Sequence, residues 1–382
     1  EARASLKIGD GLTVIDDLDL PVQAGECAVK WKSNKPAVVE ENGTVHFQKD
    51  EAKVTLTAVI SSGTYAEETV YELTIASQKD AAAGRYRTAL SIPKYISGNM
   101  QTAVNSEPVI WSSEPKGIID ADGTVHRPAG DQENLEIMVK AVIGDTVITK
   151  QATVMAEGGQ ILSYVVKGGN LYTGEGDLLA ASDSRRSDAL FLAARDPNSD
   201  GFTPLNKGKA VLYVKWDKDQ KTNPDNQMGS PILFRYQDGS LGAAASGNNK
   251  KNGIYIWDSR ETTSFENERY LVLNTEGKAV QDPNVVYDSM AECYKVFWKD
   301  EQGAAYVSML NNLNAGSVPV LTEEADYEKA SVYGGIPENA VKEQTSVFEA
   351  DKKEFEALTR KYAAVHNTGM ESVEIRANAG DS

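Results

Sequence analysis

The sequence predicts an all-β chain: two successive β-sandwiches, a third β-rich segment built like part of a propeller, and one helix near the C-terminus. Three observations carry this expectation. A block that opens Trp31-Lys32-Ser33 and closes Gly43-Thr44-Val45-His46 recurs as Trp111-Ser112-Ser113 and Gly123-Thr124-Val125-His126, offset by 80 residues with no gap. Beyond residue 158, short aromatic-rich runs follow one another, separated by Asp-Gly and Gly-Asn turns. No long amphipathic helical pattern interrupts those runs.

Each copy of the repeat reads as short strands joined by tight turns. Leu20-Pro21 leads into the first Trp-bearing run. Asn42-Gly43 and Asp122-Gly123 each precede a β-branched pair. That chemistry predicts type I′ hairpins, in which both central residues take positive φ. Alternating runs follow, Val54-Thr55-Leu56-Thr57-Ala58-Val59-Ile60 in one copy and Leu135-Glu136-Ile137-Met138-Val139 in the other. Strands of about five residues at roughly ten-residue spacing predict a sandwich. Trp31 and Trp111 are expected as core anchors, and His46 and His126 as strand residues at a repeated position. Residues 77–85 are small and polar and read as a linker or short helical connection. Glu157-Gly158-Gly159 marks the second boundary. The expected divisions are 1–78, 79–157, 158–320 and 321–382.

In the third segment the expected strands include Ala189-Leu190-Phe191-Leu192-Ala193, Ala210-Val211-Leu212-Tyr213-Val214 and Ile232-Leu233-Phe234-Arg235. Gly253-Ile254-Tyr255-Ile256-Trp257, Tyr294-Lys295-Val296-Phe297-Trp298 and Tyr306-Val307-Ser308-Met309-Leu310 continue the series, enough for about three propeller blades. Residues 321–382 are expected to form an acidic helical extension leading to a following domain. Its helix opens at Ser346-Val347-Phe348-Glu349, read as a capping box. Phe348, Phe355, Leu358 and Tyr362 share one face, and Asn367-Thr368-Gly369 ends it. Ser372-Val373-Glu374-Ile375-Arg376 reads as the first strand of a further domain of a longer polypeptide.

Composition narrows the function classes. With 39 Lys and Arg against 56 Asp and Glu, the chain carries −17, which disfavours nucleic acid and anionic membrane surfaces as partners. No apolar run approaches the ~20 residues that span a bilayer. Cys27 and Cys293 fall in different expected domains and read as two free, buried thiols. His46, His126 and His366 have no His or Cys neighbour at metal-ligand spacing, so neither a metal nor a cofactor is expected. So little histidine leaves a Ser-His-Asp hydrolase without material, and any catalysis would rest on carboxylates.

The pattern Trp-x-Ser, then Asn/Asp-Gly-Thr-Val, with an upstream Leu-Pro resembles the atrophied bacterial immunoglobulin-like domain. This domain is common as a spacer in secreted polysaccharide-degrading enzymes of Gram-positive gut bacteria. The resemblance covers roughly residues 5–76 and 85–156; the second copy has Ile92-Pro93 where the first has Leu20-Pro21. It implies a secreted or cell-surface protein of a Gram-positive bacterium.

Farther on, Asp200-Gly201-Phe202 leads to Thr203-Pro204-Leu205-Asn206. Ser230-Pro231-Ile232-Leu233-Phe234-Arg235 with Asp238-Gly239, Trp257-Asp258-Ser259, and Asp282-Pro283-Asn284-Val285-Val286-Tyr287-Asp288 follow in order. This succession resembles the opening blades of the five-bladed β-propellers of glycoside hydrolase family 43. The family's chemistry needs a general-base Asp, a general-acid Glu and an Asp that tunes the acid, the acid and base standing roughly 6.5–9.5 Å apart. This chain departs from that pattern, because Ser230 stands where the resemblance expects the base. A serine cannot take a proton from water without a base of its own. Asp282 is the remaining catalytic candidate, and Asp-Pro can equally serve to turn the chain into a strand. Trp216, Tyr236, Trp257 and Trp298 are candidate carbohydrate-stacking residues, since sugar C–H faces pack on aromatic rings. The expected function is a non-catalytic module that binds or orients an arabinose- or xylose-containing plant polysaccharide within a larger secreted enzyme. Two alternatives stand beside it: an active inverting arabinofuranosidase or xylosidase, and a surface spacer or adhesin.

Overall fold

The computed structural model describes residues 6, 8, 11–166, 189–214, 228–247, 251–259, 264–323, 327, 329 and 334–363. They are dominated by β-sheet. The chain divides into two compact units, one comprising Glu1–Leu90, Thr102–Val109 and Val142–Ile148, the other Ser91–Gln101, Ile110–Ala141 and Thr149–Ser382.

The first repeat holds β1 (Thr13–Val14), β2 (Gln23–Ala24), β3 (Cys27–Ser33), β4 (Ala52–Ser62) and β5 (Tyr65–Ile75), in the sheet order β1-β5-β4-β3-β2. Its alternating runs do what period two requires: Val54, Leu56, Ala58 and Ile60 of β4 point inward with Trp31 of β3 and Leu73 of β5. The second layer of the expected sandwich is not a full sheet. Irregular chain carrying Leu20, Val38, Val39, Val45 and Phe47 covers the inner face, tied by a single bridge between Val39 and Val45. Helix α1 (Gln78–Ala89) follows. Ser77 caps it by accepting from the Asp80 N–H, so of the two readings for 77–85 the helical connection is the one the structure has.

The second repeat holds β6 (Tyr95–Ile96), β7 (Ala103–Val104), β8 (Glu107–Pro108), β9 (Ile110–Glu114), β10 (Leu135–Ile143) and β11 (Thr146–Val154). Its main sheet has the order β6-β11-β10-β9, and β7 pairs with β8. The sequence repeat is a repeat of hydrogen bonds. Trp31 Nε1 donates to the Pro21 carbonyl at 3.0 Å, and Trp111 Nε1 to the Gln101 carbonyl at 2.7 Å. His46 pairs with Glu40 at 2.7 Å and His126 with Asp120 at 2.6 Å, each beside the repeat's isolated bridge.

The hairpin turns differ from the type I′ expectation. Only the glycines take positive φ (97° at Gly43, 88° at Gly123), while Glu40 and Asp120 each accept from the glycine N–H three residues on. This is a type I turn closed by a left-handed glycine, the common three-residue hairpin loop. A Cβ on Gly43 would stand 1.9 Å from the Leu18 carbonyl oxygen. Gly43→Ala is therefore expected to cost at least about 1–3 kcal/mol in the first repeat, read by urea denaturation.

The third segment builds three further sheets. The first contains β12 (Gly159–Tyr164), β13 (Ala189–Arg195), β14 (Thr203–Pro204), β15 (Leu212–Tyr213) and, from far along the chain, β24 (Ser346–Ala350); its order is β14-β13-β12-β24, with β15 also on β13. The second is the meander β16 (Met228–Arg235), β17 (Leu241–Gly247), β18 (Gly253–Ser259) and β19 (Glu266–Val272). The third is the meander β20 (Gln281–Asp288), β21 (Cys293–Lys299), β22 (Ala305–Leu310) and β23 (Val320–Glu323). Four-stranded meanders stacked face on face are propeller-type construction. One apolar cluster joins the first sheet to the second through Leu190, Leu192, Leu233, Ala243 and Trp257. Another joins the second to the third through Ile232, Phe234, Ile256, Val285, Val296 and Trp298.

Two expectations for the tail are corrected. Ser346, Val347, Phe348 and Glu349 do not open a helix; they form β24, paired antiparallel with β12. The helix is α2 (Lys352–Lys361), capped by Asp351, and the capping box is completed by Glu354 rather than Glu349. The expected apolar face survives the shift, since Phe348, Phe355, Leu358 and Tyr362 all join the core shared by the first two sheets. Asn367-Thr368-Gly369 and Ser372–Arg376 lie outside the described residues. The Gly158-Gly159 boundary is a tightly packed junction, where a Cβ on Gly159 would lie 2.4 Å from the Phe355 ring.

Candidate functional site

The first strands of the second and third sheets, β16 and β20, pack beside each other and carry the same local device. Each has an X-Pro pair inside the strand, Ser230-Pro231 and Asp282-Pro283, and each ladder slips there, between Gly229 and Ile232 and between Gln281 and Asn284. Proline supplies no N–H to the ladder, so a bulge absorbs it. The residue before each proline takes a left-handed conformation, φ 43° for Ser230 and 47° for Asp282. A non-glycine residue in that region costs about 1–3 kcal/mol, and a following proline restricts it further. Such paired strain marks a site whose side chains are deliberately aimed.

They are aimed at each other. Ser230 Oγ donates to Asp282 Oδ1 at 2.8 Å, and Lys329 Nζ donates to the same oxygen at 2.8 Å. Lys329 also donates to the Glu343 carbonyl at 3.1 Å, and the Tyr327 hydroxyl to the Asp282 carbonyl at 2.6 Å. The Gln344 side-chain oxygen accepts from the Ser230 N–H at 3.3 Å, and Ser246 Oγ donates to the Gly229 carbonyl at 2.9 Å. The Tyr327 ring lies against Phe297, centroids 5.6 Å apart. The Ser230 side chain is buried, whereas those of Asp282 and Lys329 keep 28% and 18% of their exposure. Chemically this is a charge-neutral knot with a partly wet edge. Its carboxylate already accepts a hydroxyl and an ammonium on one oxygen. Glu343 contributes only its main chain, and among the described residues no second carboxylate side chain is hydrogen-bonded into the cluster.

The other expected site residues do not gather here. Trp257 (2% exposed) stacks on Tyr255 and donates to Glu268 Oε2 at 3.0 Å; Trp298 (0% exposed) stacks on Tyr306 and donates to Ser308 Oγ at 2.9 Å. Both are core residues, and neither offers a ring face to a sugar, because tertiary packing uses both faces. Trp216 lies outside the described residues. Tyr236 is half-buried between Phe234 and Tyr294, its hydroxyl held by Asp258 and Arg269. Conversely, Lys329, Tyr327 and Gln344 carried no motif in the sequence. The one available signal was proline inside two strand patterns, which demands a bulge.

The Tyr236 cluster is electrostatically tuned. Burial and then the Asp258 hydrogen bond push the Tyr236 phenol well above its ordinary value. For Asp258, burial presses the carboxyl up, but hydrogen bonds from Tyr236, Asn267 and Arg269 outweigh it and hold the pKa below the usual carboxylate range. A depressed native pKa contributes stability that is present above the unfolded value near ~3.9 and lost as pH falls through the lowered native value. Asp258→Asn is thus expected to flatten the loss of stability below about pH 4, measured by urea midpoints across an acid series.

Both cysteines are free, Cys293 buried and Cys27 only half-buried, a correction to the expected pair of buried thiols. Burial, followed by the nearby Asp288 carboxylate, pushes the Cys293 thiol up. Native protein at pH 7.5 is expected to leave Cys293 unmodified by iodoacetamide while denatured protein reacts at both positions, read by peptide mass spectrometry. His366 lies outside the described residues, and among those described no three His, Cys, Asp or Glu side chains cluster as metal ligands.

With this geometry in hand, comparison with known proteins decides one point. Residues 1–78 match the family model of the atrophied bacterial Ig domain. The N-terminus of the chain therefore carries an atrophied bacterial Ig domain, a module compatible with an extracellular protein, and no described helix is long and apolar enough to cross a membrane. No curated protein sequence matches the chain. Among solved structures, a quinonprotein alcohol dehydrogenase-like protein from Bacteroides thetaiotaomicron is similar at a TM-score of 0.18 and 7% identity, over 84% of this chain and 96% of that one. Cadherin domains 1–4 of protocadherin gamma B7 (TM-score 0.13, 11% identity, 82% and 99% coverage) and cadherin-like domains 1 to 4 of zebrafish RET (0.13, 11%, 82% and 70%) are also similar. At such scores the likeness carries no argument.

Proposed function

We propose that the chain is a non-catalytic accessory module of a secreted bacterial protein that acts on plant polysaccharide, binding or orienting the polymer for other domains of the same polypeptide. One observation carries this reading: Asp282, the remaining candidate for a catalytic base, is ion-paired with Lys329, and the matching position in the neighbouring sheet holds Ser230 instead of a second carboxylate. An inverting glycosidase needs an acid and a base poised on either side of a water. A carboxylate neutralised by an ammonium is poorly suited to either role.

The same knot supports sugar contact. A hydroxyl, a carboxylate, an ammonium and an amide side by side, with the Tyr327–Phe297 ring pair adjacent, match the mixture of polar and apolar groups that holds a polyol. Trp257 and Trp298 have no part in it. Affinity electrophoresis through gels containing arabinoxylan tests the reading. Wild-type protein is expected to be retarded, and Lys329→Ala and Asp282→Ala to migrate at least about threefold less retarded while keeping the wild-type circular dichroism spectrum. Equal migration of all three with and without polysaccharide contradicts sugar binding and favours the spacer alternative.

A further inference from the structure

Strand β24 completes the first sheet from nearly two hundred residues away in sequence, and two side chains of the second repeat hold its C-terminal end, where it runs into α2. Arg127, its side chain 9% exposed, spends three donors at this junction: Nε on the Met155 carbonyl at 2.8 Å, Nη2 on the Ala156 carbonyl at 2.8 Å, and Nη1 on Glu349 Oε2 at 2.6 Å. The other Glu349 oxygen accepts from Gln160 Nε2 at 2.5 Å, so a residue of β24 is bonded to the repeat and to its partner strand at once. Two residues on, Asn134 Nδ2 donates to Asp351 Oδ2 at 2.8 Å while its Oδ1 accepts from the Ala156 N–H at 2.8 Å. Asp351 is the cap of α2, and its Oδ1 accepts from the Glu354 N–H. Between these contacts, Gly158 N–H donates to the Ala350 carbonyl at 3.0 Å.

We propose that the second repeat is the latch of this closing element: Arg127 and Asn134 grip Glu349 and Asp351, and losing that grip loosens β24 and α2 against the first sheet. The latch is made of hydrogen bonds and one partly exposed ion pair. The remaining attachment is β24 pairing, the Arg235–Glu354 pair and the Phe348–Phe355–Leu358 contacts. Arg127 also fits no other role on its surroundings: without Glu349 its remaining bonds would be to two carbonyls, leaving a buried charge uncompensated.

Hydrogen exchange read by mass spectrometry tests the latch in the full chain. Arg127→Ala is expected to speed exchange of amides 346–350 by about tenfold or more while amides 241–247 and 305–310 keep wild-type rates. Asn134→Ala, which severs only the Asp351 contact, is expected to speed exchange within 352–361 by a smaller factor. Should Arg127→Ala loosen all sheets, Asn134→Ala alone decides. Wild-type rates at 346–361 in a folded variant overturn the proposal, because the closing element is then held by its own pairing and core contacts.

Discussion

Arg235→Ala is expected to destabilise the larger unit by about 3–5 kcal/mol. Arg235 ends β16, and its guanidinium reaches α2, where Nε meets Glu354 Oε1 at 2.7 Å and Nη2 meets Oε2 at 2.5 Å. The third contact of the fork is the Glu349 carbonyl at 2.8 Å, and the guanidinium plane lies over the Phe348 ring, 4.3 Å from its centroid. Both charged groups are buried. Truncating one therefore strands the other in low dielectric, which is the costly case for buried pairs, whereas a surface pair would cost about 0–1 kcal/mol. Glu354 is also the second half of the capping box, its carboxylate accepting from the Asp351 N–H, so its loss additionally frays α2. Replacing both partners with apolar residues, as in Arg235→Met with Glu354→Leu, is expected to cost less than either alanine variant. Chemical denaturation of the three variants measures that non-additivity.

Trp298→Ala is expected to cost about 3–5 kcal/mol without any selective loss of sugar retention. The indole is fully buried, stacked at 4.6 Å on Tyr306, in the cluster that joins the second and third sheets. Its Nε1 donates to Ser308 Oγ, which itself donates to the Leu273 carbonyl at 2.8 Å. The alanine leaves a cavity and removes the donor that Ser308 accepts from, so transfer, cavity and hydrogen-bond losses add. Trp298→Phe keeps most of the ring and is expected to lose markedly less. If Trp298→Ala instead kept its urea midpoint and abolished retention by polysaccharide, the ring would be a binding platform and its burial would be wrong.

The repeat was legible because its two copies keep one 80-residue offset through the Trp31 and Trp111 indole bonds, the turn glycines and the His46 and His126 pairs. Trp31 and Trp111, Gly43 and Gly123, His46 and His126 report one another. The meander strands β18, β21 and β22 were legible from aromatic and β-branched runs. Strand β17 was not, since Leu-Gly-Ala-Ala-Ala-Ser-Gly has weak strand propensity. It is a strand because it lies between β16 and β18, where a Cβ on Gly242 would come 2.5 Å from Phe234. Strand β24 was misread as a helix start because Ser346 and Glu349 stand at capping-box spacing just before a true helix. The real box, Asp351 and Glu354, sits five residues on. Of the site, Ser230 and Asp282 were visible as prolyl motifs, but Lys329 and Gln344 arrive through chain topology alone. Nothing local distinguishes a lysine in an acidic stretch that folds onto a carboxylate from one that stays in solvent.

The role proposed for Asp282 is that of a held structural carboxylate and not a catalytic base. Release of 4-nitrophenol from the α-L-arabinofuranoside and β-D-xyloside, followed for wild-type protein and Asp282→Ala at equal concentration, tests it most directly. No turnover above the buffer rate is expected for either protein. Turnover by the wild type that disappears in a folded Asp282→Ala variant would contradict it.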